Sequence, residues 1–148
     1  MATRPDRLRV CIDADALFAG SASPTGASHL ILQLGELRII DLFASNQVRG
    51  EVERNLAAKL PSALPAFRAI ASAACQPATE PDPDATREML AAGLADAKDA
   101  PVLAAALASG CRWLVTFNIR DYRPDDRIVG LAPGDFVKQL RERLLSLA

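Results

Sequence analysis

Short apolar runs alternate with amphipathic stretches along this chain. Residues 8–13 (LRVCID) read as a buried strand ending in a carboxylate, and residues 112–117 (RWLVTF) as a second clear strand. Residues 37–43 (LRIIDLF) are a third candidate, and residues 128–131 a last edge strand. Between them the apolar positions fall at helical spacing. Residues 20–28 (GSASPTGAS) form a turn-rich loop in which Ser23 or Ser28 is available as a helix cap, and residues 29–34 form a helix closed by Gly35. Ser45 caps a helix reaching to about Leu60, with Val48, Val52, Leu56 and Leu60 on its inner stripe. A further helix covers residues 66–74, after Pro61 and Pro65. Residues 75–85 read as a loop with a short strand at its start, and residues 86–94 return to helical character. Asp99, with Pro101 behind it, opens a helix that ends at Gly110. Asp135 caps a last helix with Phe136, Leu140, Leu144 and Leu147 on its inner face.

Strands alternating with helices predict an α/β fold, a parallel sheet covered on both sides. No internal repeat and no boundary divides the chain, so residues 1–148 are read as one domain, long enough to bury a real core. Half of the residues are apolar and 24% are charged, which excludes a disordered chain. The opening segment lacks the apolar region of a secretory leader, and no run is long enough to span a membrane. Cys11, Cys75 and Cys111 form no CxxC pair, and their odd number suits buried free thiols. A cytoplasmic protein without a membrane partner is the expectation. Basic and acidic residues number 17 and 18, which argues against binding nucleic acid by bulk attraction over the whole surface.

The candidate chemistry lies in the acids. Reactive groups of parallel sheets collect where the strands end. Asp13 ends the first strand, while Asn118 and Asp121 follow the strand 112–117, so both positions fall on one edge. Glu51 lies early in its helix beside the apolar stripe, and Asp96 and Asp99 precede the helix that Pro101 opens. Oxygen ligands without histidine suit a hard cation, Mg²⁺ or Mn²⁺. The lone His29 is too isolated for a zinc site. Gathered carboxylates repel one another unless a cation neutralises them, and with one they can orient a water and lower its pKa. Each residue also has a structural reading: Asp99 as a helix cap, Glu51 as a solvated helix residue, Asn118 and Asp121 as turn residues. Arg49, Arg54, Arg120 and Arg123 flank the proposed site.

Three segments, VCIDADALFAG, SNQVRGEVERNL and DAKDAPVLAAALASGCRWLVTFNIRDY, together resemble the PIN-domain nucleases, a family that includes the VapC-like toxins of toxin–antitoxin pairs. The third is the most specific: an aspartate before an apolar helix, small residues, then a strand ending Val-Thr-x-Asn with Arg-Asp-aromatic after it. The resemblance implies a three-layer α/β/α sandwich around a parallel sheet, and hydrolysis of RNA by a water activated with Mg²⁺ or Mn²⁺. It implies Asp13, Glu51 and Asp99 as primary acids, with Asn118 and Asp121 in the fourth region. Many relatives carry aspartate where Asn118 stands, so Asp121 or Asp96 would have to supply the missing charge of a second metal site. Asp15 adds a ligand or caps the next turn, and Thr116 orients the site through its hydroxyl. RNA as substrate, a cognate antitoxin and a homodimer follow from the family alone.

Two rivals use the same acids differently. A PIN fold that binds RNA or a partner without cutting would lack metal-dependent turnover. A haloacid dehalogenase-type phosphatase would use Asp13 and Asp15 as its DxD pair and Thr116 as its second motif. That chemistry also needs a lysine, and Lys59, Lys98 and Lys138 are not well placed for it in the sequence.

Overall fold

The computed structural model describes residues 7–147; residues 1–6, part of the segment scanned for a leader, lie outside the described residues. The five strands are β1 (Arg9–Ile12), β2 (Asp41–Ala44), β3 (Gln76–Pro77), β4 (Trp113–Val115) and β5 (Val129–Leu131). All neighbours pair in parallel in the order β3-β2-β1-β4-β5. The central strand β1 has apolar residues facing both ways because both faces are covered: Val10, Cys11 and Ile12 are fully buried.

The helices are α1 (Ala14–Ala22), α2 (Ala27–Glu36), α3 (Asn46–Lys59), α4 (Leu64–Ala74), α5 (Pro83–Ala91), α6 (Ala100–Ala108) and α7 (Pro133–Ser146). Helices α1 to α4 pack on one another, α7 packs on α2, and α5 packs with α6. Alternation along β4 separates the two layers. Trp113 meets Phe136 of α7 edge to face at 6.2 Å, while Leu114, on the opposite face, lines a cleft with Leu103 of α6. The result is the expected three-layer α/β/α sandwich. Cys11, Cys75 and Cys111 are buried and free. No helix among the described residues is long and apolar enough to cross a membrane.

Several boundaries differ from the sequence pattern. Helix α1 begins directly after β1 and includes residues 20–22 of the supposed loop. Asp13 makes this abrupt change possible by accepting the backbone N–H of Ala14. Gly20 lets the next helix close in, since a Cβ there would stand 2.8 Å from Leu32 Cδ1 and 2.9 Å from the Ser28 carbonyl. Neither serine caps α2; Gly26 holds the N-cap position and Ser28 is buried inside the helix.

Gly35 lies within α2 instead of ending it. The helix closes with the Schellman pattern, Arg38 N–H to Gly35 O at 3.1 Å and Ile39 N–H to Leu34 O at 3.0 Å, with Arg38 at φ 59°. The expected strand 37–43 therefore starts only at Asp41, and Leu37 and Ile39 stay exposed. Helix α5 starts three residues early because Asp82 caps it and Pro83 supplies the first turn. Helix α7 starts at Pro133, which leaves Asp135 in the first turn and not at the cap. The Ser45 cap of α3 and the glycine ending of α6 at Gly110 are as expected.

Candidate functional site

Strands β1 and β4 are neighbours, yet the chain leaves β1 toward β2 on the other side. The crevice between their carboxyl ends is thus the switch point of the sheet. Asp13 N–H donates to Val115 O at 2.9 Å and Thr116 N–H to Leu131 O at 3.0 Å, which carries the ladder one residue beyond the strands. Asp13 and Thr116 therefore stand side by side, both buried.

Asp13 is held from three directions. Its Oδ1 accepts from Ala14 N–H at 2.8 Å, and its Oδ2 accepts from the Tyr122 hydroxyl at 2.9 Å and lies 3.2 Å from Thr116 Oγ1. Asp15, in the first turn of α1, accepts from Ala16 N–H at 2.6 Å, Phe117 N–H at 3.1 Å and the Asn118 amide at 2.9 Å. Thr116 Oγ1 also lies 3.3 Å from Asp15 Oδ2 while accepting from Asn118 N–H at 3.0 Å. Having one hydroxyl proton, Thr116 serves one of the two carboxylates at a time. Burial, and then the charge of Asp13, pushes the Asp15 carboxyl above its usual range. The same two causes raise the Tyr122 phenol, so it remains a protonated donor.

The segment before α6 forms the facing wall. Ala95 bridges Tyr122, and Arg123 N–H donates to Leu94 O at 2.8 Å, so this segment is tied to the loop after β4. Asp96 builds the turn: its Oδ1 accepts from Lys98 N–H at 3.0 Å and Asp99 N–H at 2.9 Å. Asp99 occupies the N-cap position of α6 in helical backbone and makes no capping bond, so its carboxylate is not engaged as a cap. Burial first, then the charges of Asp96, Asp13 and Asp121, raises the Asp99 carboxyl to about 6.

Glu51 joins from α3, half-buried, with Lys98 Nζ 3.4 Å from its Oε1. Gln47 donates to Lys98 O at 2.8 Å and anchors α3 to the same wall. Glu51 is the main cause that raises the Lys98 ammonium. Asp121 closes a 3-10 turn over Ile119–Asp121 and is exposed.

Asp13, Asp96 and Asp121 thus lie near enough to Asp99 to act on its carboxyl, Glu51 meets this group only through Lys98, and Arg49 turns away and donates to Ala71 O at 2.8 Å. Among the described residues no arginine forms an ion pair with Asp13, Asp15, Asp96, Asp99 or Asp121. Nor, among these residues, do three acidic, cysteine or histidine side chains converge into a ready-made metal cage. The donors are all hard oxygens, and neighbouring carboxylates add to burial in raising Asp15 and Asp99, so the group fits a hard divalent cation in charge and donor type. Sequence reasoning missed Tyr122, seen only as an aromatic after Arg-Asp, and Lys98, whose position next to Asp99 was the one available signal.

A family model described as PIN domain matches residues 9–120. The curated proteins contain no match. Among solved structures the fold is similar to VapBC2 from Rickettsia felis bound to a DNA fragment from their promoter, with TM-score 0.64 and 12% identity over 84% of this chain and 98% of that one. It is similar to PAE2754 from Pyrobaculum aerophilum, with TM-score 0.61 and 21% identity over 94% and 98% of the two chains. VapBC-1 from nontypeable Haemophilus influenzae matches with TM-score 0.58 and 11% identity over 86% and 99%. At these identities the likeness is one of fold.

Proposed function

The chain belongs to the PIN-domain family, and on that premise we propose that it is a single-domain, divalent-cation-dependent endoribonuclease, the toxin of a toxin–antitoxin pair. The observation that carries the reading is the surplus of carboxylates at the switch point, which Lys98 offsets only in part. Burial first, and then the charges of Asp96, Asp13 and Asp121, raise the Asp99 carboxyl there to about 6. Asp13, Glu51 and Asp99 are the residues that would hold Mg²⁺ or Mn²⁺, with Asp121 and Asp96 at the rim. Bound there, the cation neutralises the carboxylates and lowers the pKa of a water for attack on a phosphodiester.

The chain's own groups supply the rest. Tyr122 and the Ala14 N–H fix the Asp13 carboxylate in one orientation before any ligand arrives. Thr116 sits between Asp13 and Asp15 and donates its one hydroxyl proton to either. Asn118 holds Asp15 through its amide, in the position where many relatives carry a further carboxylate. Lys98, beside Glu51, stands at the rim of the crevice, where its ammonium can meet an incoming phosphate. The antitoxin rests on the two VapBC assemblies among the similar folds.

A second reading, an RNA- or partner-binding PIN module that does not cut, draws on two features. Asn118 brings no charge to the crevice, and Lys98 already offsets part of it.

Purified protein, a mixed structured-RNA pool and Mn²⁺, Mg²⁺ or excess chelator decide between the two. Cleavage is expected only with the metal, and Asp13→Asn is expected to lower it by at least ~10²-fold, the scale of losing a central catalytic group. A fully active Asp13→Asn protein, free of contaminating nuclease, overturns the mechanism. Failure to cut under any condition favours the binding module.

A further inference from the structure

The opposite edge of the sheet carries a second charged surface. Arg7, Arg9, Arg112, Arg127 and Arg143 are all exposed there, around two adjoining clefts of about 350 and 420 Å³ that share Leu8, Arg112 and Trp113. Arg7 pairs with Asp41 at 3.4 Å and Arg127 with Asp125 at 2.9 Å, but among the described residues Arg9, Arg112 and Arg143 have no carboxylate partner. In a chain with 17 basic and 18 acidic residues, this surplus complements the acidic surplus at the carboxyl edge. The guanidinium of Arg143 lies 5.3 Å above the Trp113 ring and covers that face, so a phosphate bound by Arg143 sits next to the indole.

A third cleft lies between the two edges. The larger amino-edge cleft shares Ile128 and Val129 with an apolar cleft of about 240 Å³ along β5. That cleft is lined by Tyr122, whose hydroxyl holds Asp13. With strands of three or four residues, the edges stand roughly 10–13 Å apart, within reach of a short single strand.

We propose that this arginine-lined amino edge grips the backbone of a single-stranded RNA segment that runs past β5 from the acidic crevice. The inference rests on the nuclease reading for the identity of its ligand. Guanidinium forks match phosphate oxygens, and the edge adjoins the cleft along β5 that reaches Tyr122, so the surface fits the RNA substrate of the acidic crevice better than an acidic peptide.

Trp113 is the only tryptophan and reports on the site directly. Full-length protein in excess chelator is titrated with an end-labelled single-stranded oligoribonucleotide, following label anisotropy and Trp113 emission together. Saturable binding with a change in Trp113 emission is expected. Arg112→Gln is the first variant, because the Arg112 side chain makes no hydrogen bond or ion pair among the described residues. It should weaken binding several-fold. Combined with Arg143→Gln it should weaken binding at least tenfold and reduce the salt slope by about 1.4, at about 0.7 per lost phosphate contact.

Binding that leaves Trp113 emission unchanged, or an affinity and salt slope that Arg112→Gln does not move, overturns the inference. So does displacement of the RNA by polyglutamate at a lower concentration of charge, which would assign the surface to an acidic protein. RNA binding that depends on the arginines, without any metal-dependent cutting, would sink the nuclease reading and leave the amino edge standing. Metal-dependent cutting with an inert amino edge would do the reverse.

Discussion

Asp99 carries the most direct consequence of burying a carboxyl among other acids. Its carboxyl is raised to about 6, so between about pH 4 and 6 the folded chain holds a proton that the unfolded chain has released. By linkage, stability then falls as pH rises through this window and levels off above it. Asp15 is raised too and acts in the same direction. Asp99 is only half-buried, so after discounting for solvent screening the expected loss is about 1 kcal/mol. Metal-free protein should therefore melt about 2 °C higher at pH 4.5 than at pH 7.5. Asp99→Asn should flatten that difference and be the more stable protein at pH 7.5. A wild-type melting temperature that climbs between these two pH values contradicts this account of the crevice. Much of this was legible from residue types, because strand ends put Asp13, Thr116 and Asn118 on one edge. The engagement of Tyr122 and Lys98 was not. Both depend on the segment before α6 meeting the loop after β4, a pairing between residues far apart in sequence that no local pattern records.

At the scale of elements, the junction of α2 with β2 and α4 is the tightest test of the packing. A Cβ on Gly35 would lie 2.6 Å from the Ala74 carbonyl and 3.1 Å from Leu42 Cβ, both parts of rigid elements. Gly35→Ala should push α2 away and cost about 2 kcal/mol, read as a lower urea midpoint with an unchanged slope. Three residues on, Arg38 takes the left-handed conformation that glycine favours, so Arg38→Gly should be neutral or stabilising by up to about 1 kcal/mol. Equal and opposite placement of these two effects would show that the helix does end at Gly35. The contrast explains why the order of elements could be read while their ends could not. The parallel order, the Ser45 cap and the Gly110 ending follow from local chemistry. Helix α1 was hidden because the apolar run continues from strand into helix with no break in composition, and Asp13 serves as cap and candidate ligand at once. The strand expected at 37–43 was overcounted because Leu37 and Ile39 look buried in sequence but belong to the helix-ending turn.

Across the whole molecule, the proposed metal group draws on four separate elements: the end of β1, the first half of α3, the entry to α6 and the turn after β4. No local unfolding could keep such a site intact, so binding energy is shared with the global fold. A cation at about 100 times its dissociation constant adds about 2.7 kcal/mol by mass action. For a chain of this size that corresponds to a rise of roughly 8 °C in melting temperature. Mn²⁺ or Mg²⁺ should therefore raise the melting temperature in one cooperative transition, as expected if residues 1–148 form one domain. Asp13→Asn should remove most of the rise. Arg112→Gln, on the far edge, should keep the rise in full. If the metal shift survives Asp13→Asn, the cation binds elsewhere, and the acidic crevice loses its role whatever the cleavage assay returns. If the shift vanishes in Asp13→Asn but persists in Arg112→Gln, the two edges hold separate tasks, ion and phosphodiester on one side and RNA backbone on the other.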